Sequence, residues 1–130
     1  MTVHEMMQQV ALLSTGEYNR NGEISSIAIP TPGKRRQVIY GKVDVIGEEE
    51  VAVLYSTVGK VNECVDLRYL LQLNTSLRHT RTALLQSDEV VLVAMFDLLG
   101  TSIKECARMI QELAAVADEL ERRWYSSDVS

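Results

Sequence analysis

Residues 66–98, with the sequence DLRYLLQLNTSLRHTRTALLQSDEVVLVAMFDL, change their hydrophobic period half-way along. The first half repeats apolar residues at helical spacing, namely Leu67, Leu70, Leu71 and Leu77. The second half alternates over residues 82–86 and is almost wholly apolar from Val90 to Phe96, which is typical of a strand buried on both faces. A helix followed directly by a two-stranded hairpin predicts the centre of a domain in which helices pack on a sheet.

The segments before this stretch are predicted to add one helix and three strands. Thr2 and Glu5 have the spacing of a capping box, so a helix should begin there. Residues 16–22 (GEYNRNG) break the helical pattern and are predicted to form a loop. Strands are predicted at three places, and their ranges are 23–29, 37–46 and 51–57.

The segment after it is predicted to form the longest helix. Ser102 and Glu105 form a second capping box, and an apolar stripe runs from Ile103 to Trp124. The predicted order is therefore α-β-β-β-α-β-β-α. Since sheet and helix areas are balanced, we expect an α+β fold with an antiparallel sheet and helices packed on one face. The length fits a single domain covering residues 1–130.

Composition excludes several classes of protein. Apolar residues make up 46% of the chain and the net charge is -5, which favours a globular protein and disfavours binding to nucleic acid. No apolar run approaches the roughly 20 residues that span a membrane, and the first residues lack the basic region of a signal peptide. Cys64 and Cys106 suit neither a metal site nor a disulfide scaffold. These features predict a cytoplasmic protein without a membrane or nucleic-acid partner.

Most of the chain after about Glu23 resembles the type III secretion chaperone-like fold. The residues that carry the resemblance are Leu70-Leu71-x-x-Asn74, strand residues 83–85, Asp88, the apolar strand 90–98 and the helix capped by Ser102. Two branches of that fold are similar here, the CesT-type secretion chaperones, which bind effector proteins, and the YbjN-like family of sensory transduction regulators. The phrase VLYSTVG at residues 53–59 is more similar to YbjN-like chains. The resemblance implies a dimer that binds protein without catalysis.

The sequence shows no pattern of residues typical of a catalytic, phosphate-binding or metal-binding site. His4 and His79 are the only histidines, no glycine-rich phosphate loop is present, and Lys34-Arg35-Arg36 is predicted to be a solvated loop. We therefore predict no catalytic, cofactor or metal site. The alternative is a small ligand-binding domain or enzyme with a site on the sheet, which would use Glu23, Asp44, Asp97 or Cys106.

The leading hypothesis is a noncatalytic protein-binding homodimer. The row of Leu67, Leu70, Leu71 and Leu77 is apolar over more width than one sheet face requires, which predicts a self-complementary dimer interface. Asn74 lies on the same helix face and is predicted to fix the loop at residues 75–80 to the sheet.

The first helix offers a second candidate surface. Its apolar residues Val3, Met6, Met7 and Val10 share one face and are predicted to pack in the core. Methionines adapt to varied partners, so a loosely docked helix would also present this face to a protein or peptide partner.

Overall fold

Six antiparallel strands form one sheet in the order β1-β2-β3-β4-β6-β5 in the computed structural model, which describes residues 1–125. The helices and strands are α1 Val3–Ser14, β1 Glu17–Asn21, β2 Ile24–Thr31, β3 Arg35–Ile46, β4 Glu49–Lys60, α2 Leu67–Leu73, β5 Arg81–Leu84, β6 Glu89–Phe96 and α3 Ile103–Tyr125. The α+β class with an antiparallel sheet is therefore confirmed. The strand count is six where the sequence predicted five.

The additional strand is β1, in the segment predicted to be a loop. Residues 17–21 pair with β2 from Glu17 opposite Ala28 to Asn21 opposite Ile24, and Gly22 turns with φ 63° between the strands. A two-residue hairpin turn needs this positive φ, so the asparagines and glycine belong to a hairpin. Among the β1 side chains, Tyr18 is half-buried and its hydroxyl lies 2.7 Å from Ser25 Oγ.

Two further predictions about the central stretch were wrong in detail. Helix α2 ends at Leu73 because Thr75 and Ser76 turn back to bond the Gln72 and Leu73 carbonyls, so Leu77 lies in a loop. Strand β6 is not covered on both faces, since Met95 is 55% exposed. One face of β6 is buried in the core and the other is partly open to solvent. Apolar side chains occupy both faces, so the apolar run does not require burial on both.

The core lies on one face of the sheet, under α1 and α3. Ile27, Ile39, Leu54 and Leu92 are fully buried there. Helix α2 is on the same face, because Thr82 pairs with Leu92 and its hydroxyl lies 2.9 Å from the Leu70 carbonyl. The prediction that the helices pack on one face is therefore confirmed.

The helix starts follow the capping residues read from the sequence. Thr2 Oγ accepts from the Glu5 amide at 3.1 Å, and the Glu5 carboxylate accepts from the Thr2 amide at 2.9 Å. Ser102 Oγ accepts from the Glu105 amide at 3.1 Å, and Asp66 caps α2. No helix within residues 1–125 combines the length and apolar character that a bilayer crossing would need.

Candidate protein-interaction surface

Four leucines project from α2 and from the end of β5 into solvent. Leu71 is 72% exposed, and the exposed fractions of Leu67, Leu84 and Leu85 are between 45% and 48%. A shallow groove of about 200 Å³ runs between the helix and the strand. We call these four leucines the α2–β5 patch. Contiguous apolar surface of this kind is characteristic of protein-interaction sites.

The predicted dimer row is divided between the core and this patch. Leu70 is only 4% exposed and belongs to the core, and Leu77 packs against the core from its loop. Leu67 and Leu71 face solvent and form half of the patch. Sequence reasoning missed Leu84 and Leu85, although their place at the end of an alternating strand was a usable signal.

The apolar residues of α1 lie inside the molecule. Val3, Met6, Met7 and Val10 are each at most 2% exposed. Binding of a peptide to these four side chains would require α1 to leave the sheet, so that role stays a prediction. The apolar residues that α1 does expose are Leu12 and Leu13, which line a shallow groove together with Ile103 and Ala107 of α3.

Asn74 joins the end of α2 to the outer edge of β5. Its Oδ1 accepts from the Thr82 amide at 2.7 Å and lies 3.1 Å from the Thr82 hydroxyl. That amide points away from β6 and would otherwise be free at the sheet edge. The side chain of Asn74 thus supplies the hydrogen bond that a further strand would make at this edge, and it holds α2 and β5 in a fixed relative position.

Replacing Asn74 with alanine is expected to lower the free energy of unfolding by about 1–2 kcal/mol, because the Thr82 amide loses its acceptor in a half-buried position. Urea denaturation followed by circular dichroism measures this change. Gln72→Ala is the control, since Gln72 is exposed on the same helix and should change stability by less than about 0.5 kcal/mol. Equal stabilities of the two variants would contradict the role given to Asn74.

The loop between α2 and β5 is also held from α3, by the carboxylate of Glu112. Its Oε2 accepts from the Arg78 amide at 3.0 Å, and its Oε1 accepts from the His79 amide at 2.8 Å and from the Thr80 amide and hydroxyl at 2.9 Å each. Burial alone would raise the pKa of Glu112, but these donors outweigh it and lower the pKa. The sequence gives no signal of these four hydrogen bonds, because Glu112 lies 32 or more residues from each donor.

A second polar cluster joins α3 to the sheet. Asp118 is 1% exposed, and its Oδ1 accepts from Arg35 Nε at 2.8 Å and from the Thr31 hydroxyl at 3.2 Å. The prediction that residues 34–36 form a solvated loop was therefore wrong for Arg35, which is half-buried and begins β3, and for Arg36, which pairs with Pro30 in the sheet. Burial raises the pKa of the nearby Glu121, while a hydrogen bond from Gln37 and the charge of Arg35 oppose the rise. These contacts orient α3 on the strands.

The residues named for an enzymatic alternative do not converge. Glu23 lies in the turn after β1, Asp44 pairs with Lys42 at 3.4 Å on the open sheet face, and Asp97 follows β6. Cys106 is fully buried, and burial raises the pKa of its thiol to about 12, which disfavours the nucleophilic thiolate. Among the described residues, no three His, Cys, Asp or Glu side chains are placed to share a metal ion.

Comparison with known proteins gives a likeness in structure and none in sequence. No protein-family model and no curated protein sequence matches the chain. A crystal structure of the Yersinia pestis type III secretion chaperone SycH, in complex with a stable fragment of YscM2, superposes with a TM-score of 0.58. The fold is that of a type III secretion chaperone. The likeness covers 94% of this chain and 99% of SycH at 20% identity, so what is shared is the secretion-chaperone fold alone.

Proposed function

We propose that this chain is a noncatalytic protein-binding module, chaperone-like or regulatory, that acts as a homodimer in the cytoplasm. The observation that carries the proposal is the α2–β5 patch, in which four leucines from one helix and one strand end are exposed side by side. The secretion-chaperone fold supports it, because SycH was crystallised with a fragment of another protein. The buried Cys106 thiol and the scattered carboxylates supply no competing reaction site.

A two-fold dimer would bury the patch against its own copy. Leu71 is the most exposed of the four leucines and lies on the outer side of α2, where it would meet its symmetry mate or Leu67. Full burial of an exposed leucine contributes about 1.5–3 kcal/mol, and the three leucines that are already about half buried would contribute proportionally less. Because Asn74 already bonds the Thr82 amide at the sheet edge, the contact would be made by side chains more than by strand pairing.

Replacing Leu71 with glutamate is expected to convert the dimer to a monomer. The symmetry of the interface places two carboxylates in it at once, so we expect the dissociation constant of the dimer to rise by at least about 30-fold. Sedimentation equilibrium over a dilution series at micromolar concentration measures the change.

Leu12→Glu is the matched control. Leu12 is 83% exposed on α1, far along the chain from the patch, and glutamate there should leave the dimer intact. A wild-type chain that is monomeric at every concentration would remove the homodimer. A dimer weakened by Leu12→Glu and not by Leu71→Glu would place the interface on α1.

Two protein-binding roles share this architecture and differ in the partner. A CesT-type secretion chaperone holds an effector protein, whereas a YbjN-like regulator acts in sensory transduction. The fold likeness to SycH supports the first, and the strand phrase at residues 53–59 favours the second. Affinity capture from the native cell distinguishes the two roles. A partner that is a secreted protein would favour the chaperone, and a signalling protein would favour the regulator.

A further inference from the structure

The β3–β4 hairpin extends beyond the strands on either side of it. Pairing of β2 with β3 stops at Ser25 opposite Gly41, and pairing of β6 with β4 stops at Phe96 opposite Ala52. The hairpin itself continues to Ile46 opposite Glu49. Residues 49–51 of β4 therefore have a strand on one side only, and their outer edge is open to pairing with another chain.

A groove lies beside this open edge, where a longer β6 would have run. After Phe96 the chain turns away through residues 97–100 towards α3, leaving a volume of about 470 Å³. We call it the hairpin-end groove, and its lining residues are Val43, Glu50, Val51, Ala52, Asp97, Leu98, Leu99 and Gly100.

Large apolar side chains surround this groove without a cover in the described part of the chain. Leu99 in the groove lining is fully exposed and Val43 is close to half exposed; beyond the groove, at the tip of the hairpin, Val45 is 70% exposed and Ile46 is close to half exposed. Their position at a projecting hairpin and the adjoining loop makes them a second apolar surface, at a different part of the sheet from the α2–β5 patch.

The charge around the groove selects the kind of occupant. Residues 42–52 and 97–101 contain five carboxylates and a single lysine, and that lysine pairs with Asp44 at 3.4 Å. Within residues 1–125, Glu48, Glu49, Glu50 and Asp97 have no ion-pair partner. An apolar groove with uncompensated negative charge at its rim is complementary to a segment that combines apolar and cationic side chains, and it repels nucleic acid and anionic lipid.

We propose that the hairpin-end groove binds an extended basic and apolar segment of a partner protein. The segment would lie against residues 49–51 where β6 stops, with apolar side chains on Val43 and Leu99 and cationic side chains near Glu50 and Asp97. This inference rests on the proposed protein-binding function and specifies the chemistry of the partner. The groove is separate from the α2–β5 patch, through which we propose that the second copy binds.

A labelled synthetic peptide tests the proposal by fluorescence anisotropy on the full chain. The probe is a peptide of about 12 residues that alternates lysine with valine or leucine, and its counterpart carries glutamate in place of lysine. The basic peptide is expected to bind at least about tenfold more tightly than the acidic one, and its affinity should fall as ionic strength is raised. Equal binding of both peptides would overturn the proposal.

Variants at exposed positions locate the binding site. Glu50→Gln combined with Asp97→Asn, and separately Leu99→Ser, should each weaken binding of the basic peptide by about five- to tenfold. Glu23→Gln combined with Glu63→Gln removes the same net charge from two other exposed positions and should leave the affinity unchanged. Equal loss in the two charge variants, or no loss in either, would overturn the site.

Two further readouts separate this proposal from the others. Sedimentation of the groove variants should give the wild-type oligomeric state, because the α2–β5 patch is unchanged. If the chain is monomeric and yet the groove variants alone lose the peptide, the dimer fails and the groove stands. Binding of anionic lipid vesicles in preference to the basic peptide would overturn the proposed partner.

Discussion

Replacing Glu112 with leucine is expected to lower the free energy of unfolding by about 3 kcal/mol, because it removes the acceptor of four hydrogen bonds. Three of the donors are the consecutive amides of Arg78, His79 and Thr80, which all lose their acceptor when the carboxylate is removed. Hydrogen bonds to a charged acceptor are worth more than neutral ones. The loop joins α2 to β5, so its loosening should also disturb the α2–β5 patch.

Guanidinium denaturation of the variant measures the loss, and Glu119→Leu is the control. Glu119 is exposed on the same helix, and within residues 1–125 its side chain makes one contact, an ion pair with Arg123 at 3.8 Å, so its replacement should cost less than about 0.5 kcal/mol. The same exchange of side chain at both positions keeps helix propensity and charge matched. An equal loss of unfolding free energy at Glu112 and Glu119 would contradict the stabilising role of the four hydrogen bonds to Glu112.

The contribution of Glu112 should depend on pH in a defined direction. Its pKa is lower in the folded protein than the ordinary value of 4.5, so the charged carboxylate favours folding. That stability is fully present above pH 4.5 and is lost as the pH falls through the lowered pKa. The difference in unfolding free energy between wild type and Glu112→Gln should therefore be constant near neutral pH and should shrink in acid.

Much of the fold could be predicted from the sequence because its signals are local. Caps such as Thr2 and Ser102 use residues three positions apart, and the change of hydrophobic period at residues 66–98 marks a helix followed by strands. Strand β1 was missed for a physical reason. Four of its five residues are exposed and polar, and it is a strand because β2 supplies its hydrogen bonds.

The candidate surface was predicted less completely because burial is decided by the tertiary arrangement. Leu70 and Leu71 are neighbours in the sequence, yet one is in the core and the other is exposed, and the packing of α2 on the rest of the fold determines which. The polar contacts of Arg35 and Glu112 could not be predicted, since their partners Asp118 and Arg78 are 83 and 34 residues away. No spacing rule reveals contacts of that separation.

Replacing Gly41 with alanine is expected to lower the free energy of unfolding by about 3 kcal/mol, because the added methyl overpacks the contact between α1 and the sheet. A Cβ at this position would lie 2.1 Å from Met7 Sδ and 3.1 Å from Leu54 Cδ2, and both side chains are fully buried. Gly41 therefore sets how closely α1 approaches β3. Gly100→Ala is the control, since a Cβ there meets nothing within 4 Å.

A double-mutant cycle with Met7→Ala identifies the cause. Met7→Ala alone should cost about 2–5 kcal/mol through the cavity that it leaves. In the double variant the alanine at position 41 points into that cavity, so the combined loss should be smaller than the sum of the two single losses by at least about 1 kcal/mol. Additive losses would show that Gly41 is required for its backbone and not for the space it leaves to Met7. Because Met7 packs against Gly41, sub-additive losses would show that the space left by the missing side chain at position 41 lets α1 pack closely on β3.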